Sequence, residues 1–346
     1  MTSRTDAPAE ARAPRSRQRP RTLPWRTVLG LMAASLAIWL LLDAVTLEHN
    51  AEVSPLGTRR TVALTILRPL AAISRFTQVS RIESAANGAL GRTTTGSGGH
   101  TFVVIGPTVK PTKSTKHPPI HPSVTTLPPD PLENPTASDP LRALLIGDSL
   151  GLDLGGPLQN RLASTGVVAA TLDGKESTGL TRPDYFDWPA ELNRALTQVN
   201  PQVVVIMMGA NDPQSFLGPP AIGYGTAQWD TEYRHRAVKF MKEATSQGAK
   251  LIWVSLPPMR DPALDAKVAK VNALQKEAAA KVPGVIYVSS TPSLSPGGGY
   301  TAFITRNGQN ISVREPDGIH VSAQGGAVLS DEVVHAMRHD LGIPIH

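Results

Sequence analysis

Apolar runs alternate with helical stretches over residues 141–346, and this alternation constrains the fold more than any other feature. The apolar runs have the length of buried strands and lie at 141–146, 167–172, 203–208, 251–256 and 285–288. The helical stretches lie between and after them, at 151–162, 187–199, 226–247, 261–281 and 322–341. Strands that alternate with helices form βαβ units, so the sequence predicts an α/β domain whose mostly parallel sheet is covered by helices on both faces.

The chain contains no cysteine, which excludes disulfides, a cysteine nucleophile and thiolate metal sites. Its net charge of +6 arises outside the α/β region. Residues 1–140 contain 16 lysines and arginines against 9 acidic residues, whereas residues 141–346 contain 18 against 19. The α/β domain is therefore close to neutral, and we predict no nucleic-acid partner.

An uncharged segment near the N-terminus predicts a membrane anchor. Residues 1–26 form a basic tail with seven arginines and two acidic residues, and residues 27–42 carry no charge. A helix over 27–42 spans roughly 24 Å, and extension to residue 47 brings it to the ~30 Å of a hydrocarbon core. Arginines before the span and acids after it place the N-terminus in the cytoplasm and the rest of the chain outside it.

The predicted anchor, residues 27–47, has two alternatives. A cleaved signal peptide has a shorter apolar run and a small-residue cleavage site, whereas residues 47–50 are LEHN. A buried core helix is not expected after an arginine-rich tail. A single uncleaved anchor fits better, and it predicts a cell-membrane protein whose α/β domain lies on the periplasmic or cell-wall side.

Two segments connect the predicted anchor to the α/β domain. Residues 48–83 form a juxtamembrane segment, in which 61–76 predict either a short helix on the bilayer or on the domain, or a partly ordered stalk. Residues 84–140 are rich in Ser and Gly and then contain ten prolines between 107 and 140. Such a composition buries too little apolar surface to fold, so 84–140 predict a disordered, semi-rigid spacer.

Polar motifs follow two of the predicted strands and precede the last helix. Ser149 lies in GDSL after the first strand, where a helix N-terminus offers free N–H groups to an oxyanion. Asn211 lies in GAND after the third strand, and an amide there can donate to developing negative charge. Asp317 and His320 lie in DGIH, a spacing that lets the carboxylate orient the imidazole and the imidazole take a serine proton.

Each motif alone has a purely structural explanation. Ser149 would then cap a helix, Asn211 would be a turn residue, and Asp317 with His320 would form a surface turn. Together, however, the motifs lie at strand ends or adjoining loops of one sheet. They provide a nucleophile, a base, an orienting acid and an oxyanion donor, and this combination predicts a serine hydrolase site.

The motifs GDSL, GAND and DGIH, in this order, resemble blocks I, III and V of the SGNH/GDSL hydrolase superfamily. Gly179, within STGL, resembles the block II glycine. The stretches 178–189 (TGLTRPDYFDWP) and 228–241 (QWDTEYRHRAVKFM) are further similar to the periplasmic, membrane-anchored DUF459 branch of that superfamily. The resemblance covers about 141–346 and not the predicted anchor and spacer.

This resemblance implies a flavodoxin-like three-layer α/β/α sandwich, the SGNH hydrolase fold. It also implies that Ser149 is the nucleophile, that His320 is the general base and that Asp317 orients His320. The oxyanion hole would consist of the backbone N–H groups of Ser149 and Gly179 and the side chain of Asn211.

Six further residues near the predicted rim of the sheet are candidate substrate contacts: Lys175, Arg182, Tyr185, Trp188, Tyr224 and Trp229. Aromatic rings there can stack on sugars, although Trp188 and Trp229 open helices and alternatively pack against the core. The loops 213–225 and 293–310 are expected to shape the pocket. Asp148 and Asp212 also match the family pattern, and we assign them structural hydrogen bonds.

We therefore expect a membrane-tethered, extracytoplasmic serine esterase that acts through an acyl-enzyme on small O-acyl esters, in particular acetyl esters, of cell-envelope carbohydrate. No His/Asp/Glu group has metal-ligand spacing, and a serine triad needs no metal or cofactor. An O-acetyltransferase with a glycan hydroxyl as acceptor would use the same triad. A non-catalytic envelope scaffold or carbohydrate-binding module is the alternative of another class.

Overall fold

The structure of the protein is a computed structural model that describes residues 24–42, 44, 47–48, 51, 58–77, 100–107 and 134–345. The chain divides into two units, Met1–Ser97 and Gly98–His346. Most of the predicted basic tail (residues 1–23) and most of the predicted spacer (84–99 and 108–133) lie outside the described residues.

Two helices are described in the first unit, α1 (Trp25–Leu42) and α2 (Thr58–Thr77), and they contact each other. α1 covers most of the segment for which the sequence predicts an anchor, 27–47. α2 contains the helix that is one of the two expectations for 61–76. Among the residues that the structure describes, no helix is both long enough and apolar enough to cross a membrane.

The second unit is built on a six-stranded sheet. Its strands are β1 (His100–Ile105), β2 (Leu141–Gly147), β3 (Val168–Lys175), β4 (Val203–Met207), β5 (Lys250–Val254) and β6 (Val285–Val288). They lie side by side in the order β1-β3-β2-β4-β5-β6. All neighbouring strands are parallel except β1, which pairs antiparallel with β3. The five parallel strands have the 2-1-3-4-5 order of flavodoxin-like sheets, so the predicted α/β fold is confirmed.

Helices cover both faces of this sheet. They are α3 (Ser149–Ala163), α4 (Trp188–Val199), α5 (Ala227–Ala244), α6 (Pro262–Ala279), the single turn α7 (Thr291–Leu294) and α8 (Ala323–His339). α3 and α8 pack against each other, while α5 packs against both α4 and α6. The right-handed crossovers that contain α3 and α4 run in opposite directions across the sheet, so these two helices lie on opposite faces. α8 packs on α3 and forms one layer with it, and α5 and α6 form the other layer with α4.

The strands form because their residues are apolar on both sides. In the centre of the sheet, Leu144 of β2 lies opposite Thr171 of β3 and Val204 of β4, and all three are buried. A strand covered by helices on both faces has no solvent side, so it carries a continuous apolar run rather than an alternating one.

Capping side chains fix where the helices begin. The predicted cap Asp187 accepts a hydrogen bond from the Ala190 N–H (3.1 Å) at the start of α4. Thr226, Asp261 and Ser322 accept in the same way at the starts of α5, α6 and α8. Each cap satisfies an N–H group that the helix itself cannot pair, so each helix starts at a defined residue after its loop.

Two predictions about loops need correction. The sequence predicts that residues 100–105 belong to the spacer, but they form β1 and pair with β3 from His100 opposite Lys175 to Ile105 opposite Ala170. The β-branched run within HTFVVI favours a strand despite its Ser/Gly-rich and Pro-rich flanks. The loop expected at 293–310 contains the start of a hairpin, β7 (Phe303–Arg306) and β8 (Gln309–Ser312).

Candidate active site

Two candidate site residues, Ser149 and Asn211, follow the neighbouring strands β2 and β4, where the strand order of the sheet reverses. Ser149 comes directly after β2, and Asn211 comes shortly after β4. β2 pairs with β3 on one side and with β4 on the other. The chain passes from β2 to β3 in one direction and then from β3 back across β2 to β4, so the strand order reverses between β2 and β4. In open α/β sheets, ligands bind at the carboxyl ends of the strands beside such a switch point. Both residues therefore lie where a site is expected.

Asp148, rather than Ser149, caps α3. Its Oδ1 accepts hydrogen bonds from the backbone N–H groups of Leu150 (3.0 Å) and Gly151 (3.4 Å), and its Oδ2 accepts one from Gly209 (2.9 Å). Burial raises the pKa of Asp148 to about 6 despite these hydrogen bonds. Ser149 is the first residue of the helix and is half-buried, so its hydroxyl is not needed for the capping role that was the alternative to catalysis.

The strand-to-helix turn that carries Ser149 is pressed against β4. A Cβ added at Gly147 or Gly151 would collide with the carbonyl oxygen of Met207, the last residue of β4. Glycine at both positions allows this close approach. The hydrogen bond from Gly209 to Asp148 joins the same two segments. Ser149 is thereby held at a fixed place relative to the loop that bears Asn211.

Asp317 and His320 form the predicted pair. The His320 Nδ1 donates to the Asp317 Oδ2 over 2.6 Å. The Asp317 Oδ1 accepts from the backbone N–H groups of Ile319 (2.8 Å) and His320 (3.0 Å). Partial burial raises the pKa of Asp317, but the hydrogen bonds from His320 and Ile319 outweigh it, and the pKa lies below its ordinary value. Asp317 therefore stays ionised and fixes the tautomer of His320, with Nε2 free to act as a base.

The imidazole of His320 is more basic than usual. Partial burial lowers the pKa of His320, but the hydrogen bond with Asp317 and the negative charges of Asp153, Asp317 and Asp148 raise it above its ordinary value of 6.5. A positive His320 is therefore stabilised by this environment. Stabilisation of the imidazolium is what a general base requires at the moment it takes a proton.

Two arginines hold the backbone of the DGIH loop. Arg260 donates to the carbonyl oxygens of Pro316 (2.8 Å) and Asp317 (2.7 Å). Arg314, which is buried, donates to those of Ile319 (2.7 Å) and His320 (3.3 Å). Neither guanidinium forms these hydrogen bonds with a carboxylate, so both act on the shape of the loop. Sequence reasoning did not identify either arginine, because their partners are backbone atoms whose proximity depends on tertiary folding.

The same loop is attached to the helix of Ser149. Val321 donates its backbone N–H to the Asp153 Oδ2 over 2.9 Å, and Asp153 lies on α3 four residues after Ser149. The charge of Asp148, next to Ser149, also acts on His320. The structure therefore joins Asp317 to His320 and fixes the His320 loop to the Ser149 helix. The hydrogen bond between Ser149 and His320 stays a prediction.

Two of the proposed oxyanion donors, Gly179 and Asn211, lie close together. The Asn211 side chain donates from Nδ2 to the carbonyl oxygen of Thr178 (3.1 Å), the residue before Gly179. An amide nitrogen carries two hydrogens, so one N–H of Asn211 remains for a ligand. Among the described residues, no acceptor takes a hydrogen bond from the backbone N–H of Ser149 or of Gly179. These three donors are available to a negatively charged oxygen.

Gly179 is fixed in place by Asp212. The buried Asp212 accepts at Oδ1 from the N–H (2.9 Å) and the hydroxyl (3.1 Å) of Thr181, and at Oδ2 from the Tyr233 hydroxyl (2.7 Å). Burial raises the pKa of Asp212 to about 7. A Cβ at Gly179 would collide with this carboxylate. The structural roles assigned to Asp148 and Asp212 from the sequence agree with these hydrogen bonds.

The two tryptophans proposed as substrate contacts are buried in the core instead. Trp188 donates from its Nε1 to the Thr178 hydroxyl (2.9 Å), and Trp229 donates to the Gln214 carbonyl (2.8 Å). Trp229 also stacks on Tyr233, with ring centroids 4.9 Å apart. Neither indole is accessible to a ligand, and both position the loops around the site. Their proposed role in binding substrate is wrong, and the alternative, packing against the core, is confirmed.

The other four proposed substrate contacts differ in exposure. Arg182 is buried, and its guanidinium binds the Asp184 carboxylate with two hydrogen bonds of 2.9 Å, so it is not a free contact for substrate. Lys175, Tyr185 and Tyr224 are half-buried. The Lys175 Nζ lies 6.0 Å from the centre of the Tyr185 ring. These last three residues stay predictions as substrate contacts.

His100, Asp173 and Glu191 form a cluster that sequence spacing did not reveal. Their ligand atoms all lie within 4.8 Å of one another, an arrangement that could hold a metal ion. Arg194 donates to both carboxylates, however, and His100 binds Asp173 and Glu191. Arg194 and His100 therefore satisfy the two carboxylates without a metal. They attach β1 to β3 and α4.

The fold and the site define a flavodoxin-like α/β domain with an Asp–His pair and a serine at the switch point. The family model described as "Protein of unknown function (DUF459)" matches residues 142–336, and the chain belongs to this family. No curated protein matches the sequence.

Among solved structures, the chain is similar to a GDSL-like lipase from Bacteroides thetaiotaomicron. The identity is 15%, the similarity covers 57% of this chain and 88% of that chain, and the TM-score is 0.41. It is also similar to a member of the lipolytic protein G-D-S-L family from Veillonella parvula. Here the identity is 15%, the coverage is 57% of this chain and 98% of that chain, and the TM-score is 0.42.

Proposed function

We propose that this protein is a serine esterase of the SGNH type, in which Ser149, His320 and Asp317 form the catalytic triad. The observation that carries the proposal is the 2.6 Å hydrogen bond between His320 and Asp317 on a loop fixed to the helix that begins with Ser149. The motif resemblance found in the sequence supports the same assignment. The oxyanion donors Gly179 and Asn211 complete the set.

The reaction begins when the Ser149 hydroxyl attacks the carbonyl carbon of an ester. His320 accepts the hydroxyl proton at Nε2, while Asp317 holds Nδ1 and stabilises the imidazolium. The carbonyl oxygen becomes an oxyanion, which accepts hydrogen bonds from the N–H groups of Ser149 and Gly179 and from Asn211. The intermediate collapses, His320 returns the proton to the leaving alcohol, and the acyl group remains on Ser149.

The second half of the reaction removes the acyl group. A water molecule attacks the acyl carbon, and His320 takes a proton from this water. The same three donors stabilise the second oxyanion. Collapse breaks the bond to Ser149, which recovers its proton from His320, and the carboxylic acid leaves. With a sugar hydroxyl in place of water, the same steps would transfer the acyl group.

We propose small O-acyl groups, in particular acetyl groups, on cell-envelope carbohydrate as the substrate class. The side chains of Asp317 and His320 are 45% and 30% exposed, so the catalytic pair lies at an open rim rather than in an enclosed pocket. An open rim suits an acyl group carried on a polymer, because the polymer itself cannot enter a closed cavity. The half-buried Tyr185 and Tyr224 are the aromatic residues proposed to contact its sugars.

The proposed location is outside the cytoplasm, on a membrane tether. This proposal rests on the sequence alone, namely the basic tail over 1–26 and the uncharged segment 27–42 that follows it. Membrane fractionation of the full chain and of a variant without residues 27–42 tests it. The proposal requires the full chain in the membrane fraction and the shortened chain outside it.

The catalytic assignment is tested by Ser149→Ala. With p-nitrophenyl acetate as substrate, we expect kcat to fall by about 10³-fold or more, because the nucleophile is removed. Ser164→Ala is the matched control, since Ser164 is an exposed residue at the other end of the same helix. It should retain the parental rate. A Ser149→Ala variant as active as the parent would remove Ser149 from the mechanism.

A further inference from the structure

We propose that Asp153 is a second acidic positioning residue for His320, one that fixes the DGIH loop to the nucleophile helix and adds a negative charge beside the base. The inference rests on the proposed esterase function and extends it, since no motif includes Asp153. It assigns the site a second carboxylate in addition to Asp317.

Asp153 lies on the helix of Ser149 and on the same side of it. Residues four apart on an α-helix are neighbours on one face, so the side chains of Ser149 and Asp153 project in similar directions. The Asp153 Oδ2 accepts the backbone N–H of Val321 over 2.9 Å, and Val321 directly follows His320. One carboxylate thus connects the helix that carries the nucleophile with the loop that carries the base.

The packing of α8 supports the same connection. A Cβ added at Gly326 of α8 would collide with the carbonyl oxygen of Asp153. Asp153 is therefore contacted twice: the loop after His320 contacts its side chain, and α8 packs against its backbone. Little movement of His320 along α3 is possible while these contacts persist.

The charge of Asp153 acts on His320 as well. Burial raises the pKa of Asp153 to about 7, while the Val321 N–H and a positive His320 lower it. The charged groups that act on Asp153 are His320, Asp148, Glu315 and Arg314. Among the carboxylates that raise the pKa of His320, Asp317 acts through a hydrogen bond and its charge, whereas Asp153 and Asp148 act through their charges alone. Asp153 therefore has two separable roles: it accepts a hydrogen bond that positions the loop, and it stabilises the imidazolium.

Asn and Ala substitutions separate these roles in the full-length chain. Asp153→Asn keeps an oxygen that can accept the Val321 N–H but removes the charge. We expect an unchanged KM for p-nitrophenyl acetate, and an acid limb of kcat/KM against pH that moves down by about one pH unit, because the imidazolium loses a neighbouring negative charge. One pKa unit corresponds to tenfold in the protonation equilibrium, so kcat falls by up to about tenfold. Asp153→Ala removes the loop attachment too and should lower kcat further.

Two further variants act as controls. Asp331→Asn removes a charge from α8 at a residue that binds Arg306 and Arg161, and it should leave the pH profile unchanged. Asp153→Glu keeps the negative charge that Asp153→Asn removes, so its acid limb should lie closer to the parental position than that of the Asn variant. A role of Asp153 in folding alone would lower stability in all Asp153 variants without moving the acid limb.

The proposal is overturned if Asp153→Asn folds and has the parental kcat and acid limb. If the Asn variant does not fold, the proposal is overturned when Asp153→Glu shows no recovery of kcat relative to Asp153→Ala. The pKa of His320 measured by NMR, with His320→Ala to assign the signal, is independent of activity. A parent enzyme without Ser149-dependent activity refutes the proposed function. In that case the NMR comparison of the parent with Asp153→Asn still decides whether Asp153 raises the pKa of His320.

Discussion

Gly179→Ala tests how the fold constrains the proposed oxyanion hole. An added Cβ would lie 2.7 Å from the Cγ of Asp212 and closer still to its Oδ1, whereas ordinary contacts begin at 3.4 Å. Asp212 cannot move away freely, because Thr181 and Tyr233 hold it with three hydrogen bonds. The backbone of residue 179 must therefore shift by about 1 Å to relieve the overlap with this tightly packed carboxylate.

The expected loss follows from this shift. A misplacement of about 1 Å costs on the order of 10²-fold in rate, and complete removal of one oxyanion donor costs about 10²–10³-fold in kcat. We therefore expect Gly179→Ala to lower kcat for p-nitrophenyl acetate about 10²-fold with little change in KM. Overpacking of a tight site costs about 1–3 kcal/mol, so the free energy of unfolding should fall by that amount.

Gly156→Ala is the matched control. Gly156 lies in the middle of α3, and a Cβ there has no atom within 4 Å. Alanine is favoured over glycine in a helix by roughly 0.5–1 kcal/mol, so this variant should be slightly more stable and fully active. Steady-state kinetics and thermal unfolding of both variants provide the comparison. A Gly179→Ala protein with parental kcat would show that the Gly179 N–H does not stabilise the transition state.

Two other predictions concern the base and the core. The pKa of His320 lies above 6.5 and the base must be neutral, so kcat/KM should fall as pH decreases through a value above 6.5; Asp317→Asn should lower this pKa and reduce kcat by about 10⁴-fold. A pH–rate profile with its acid limb below 6.5 in the parent would contradict this environment. Trp188→Phe should lower the free energy of unfolding by about 0.5–1.5 kcal/mol through loss of its hydrogen bond to Thr178, and Trp188→Ala by about 3–5 kcal/mol, with KM unchanged in the Phe variant. A large rise in KM without loss of thermal stability would instead return Trp188 to the substrate contacts.

Most of the sheet could be predicted because its strands are covered on both faces. The run at 203–208 is apolar throughout and the run at 141–146 is apolar except for Arg142, a pattern typical of strands between two helical layers. β3 is longer than predicted, because the run at 167–172 continues through Asp173 to Lys175. A buried Asp is not a strand signal, and its partner His100 comes from a segment 73 residues earlier.

The missed elements have different causes. β1 is a short edge strand between Ser/Gly-rich and Pro-rich stretches, and the composition of these flanks favours a spacer. The β7–β8 hairpin did have a signal, since Asn307 and Gly308 both adopt positive φ (52° and 75°), and Asn-Gly between short strands favours a tight hairpin turn. The local sequence therefore indicates the β7–β8 hairpin, whereas β1 is recognised only from its pairing with β3.

The candidate site divides in the same way. Asp317 and His320 are three residues apart, so a turn alone brings them together, and their spacing was sufficient to predict the pair. Asp153 and Arg314 bind backbone groups of the His320 loop, and these contacts form only through tertiary packing. The tryptophans show the opposite limit, because an aromatic residue at a loop can face either a ligand or the core, and only burial distinguishes the two.

The most direct test of the account is to label the full-length chain with a fluorophosphonate and locate the modified peptide by mass spectrometry. The account predicts covalent modification of Ser149 in the parent and loss of this label in His320→Ala, because the serine is nucleophilic only with its base. A folded parent that remains unlabelled, or a label on another residue, would contradict the assignment of Ser149 and His320 as nucleophile and base.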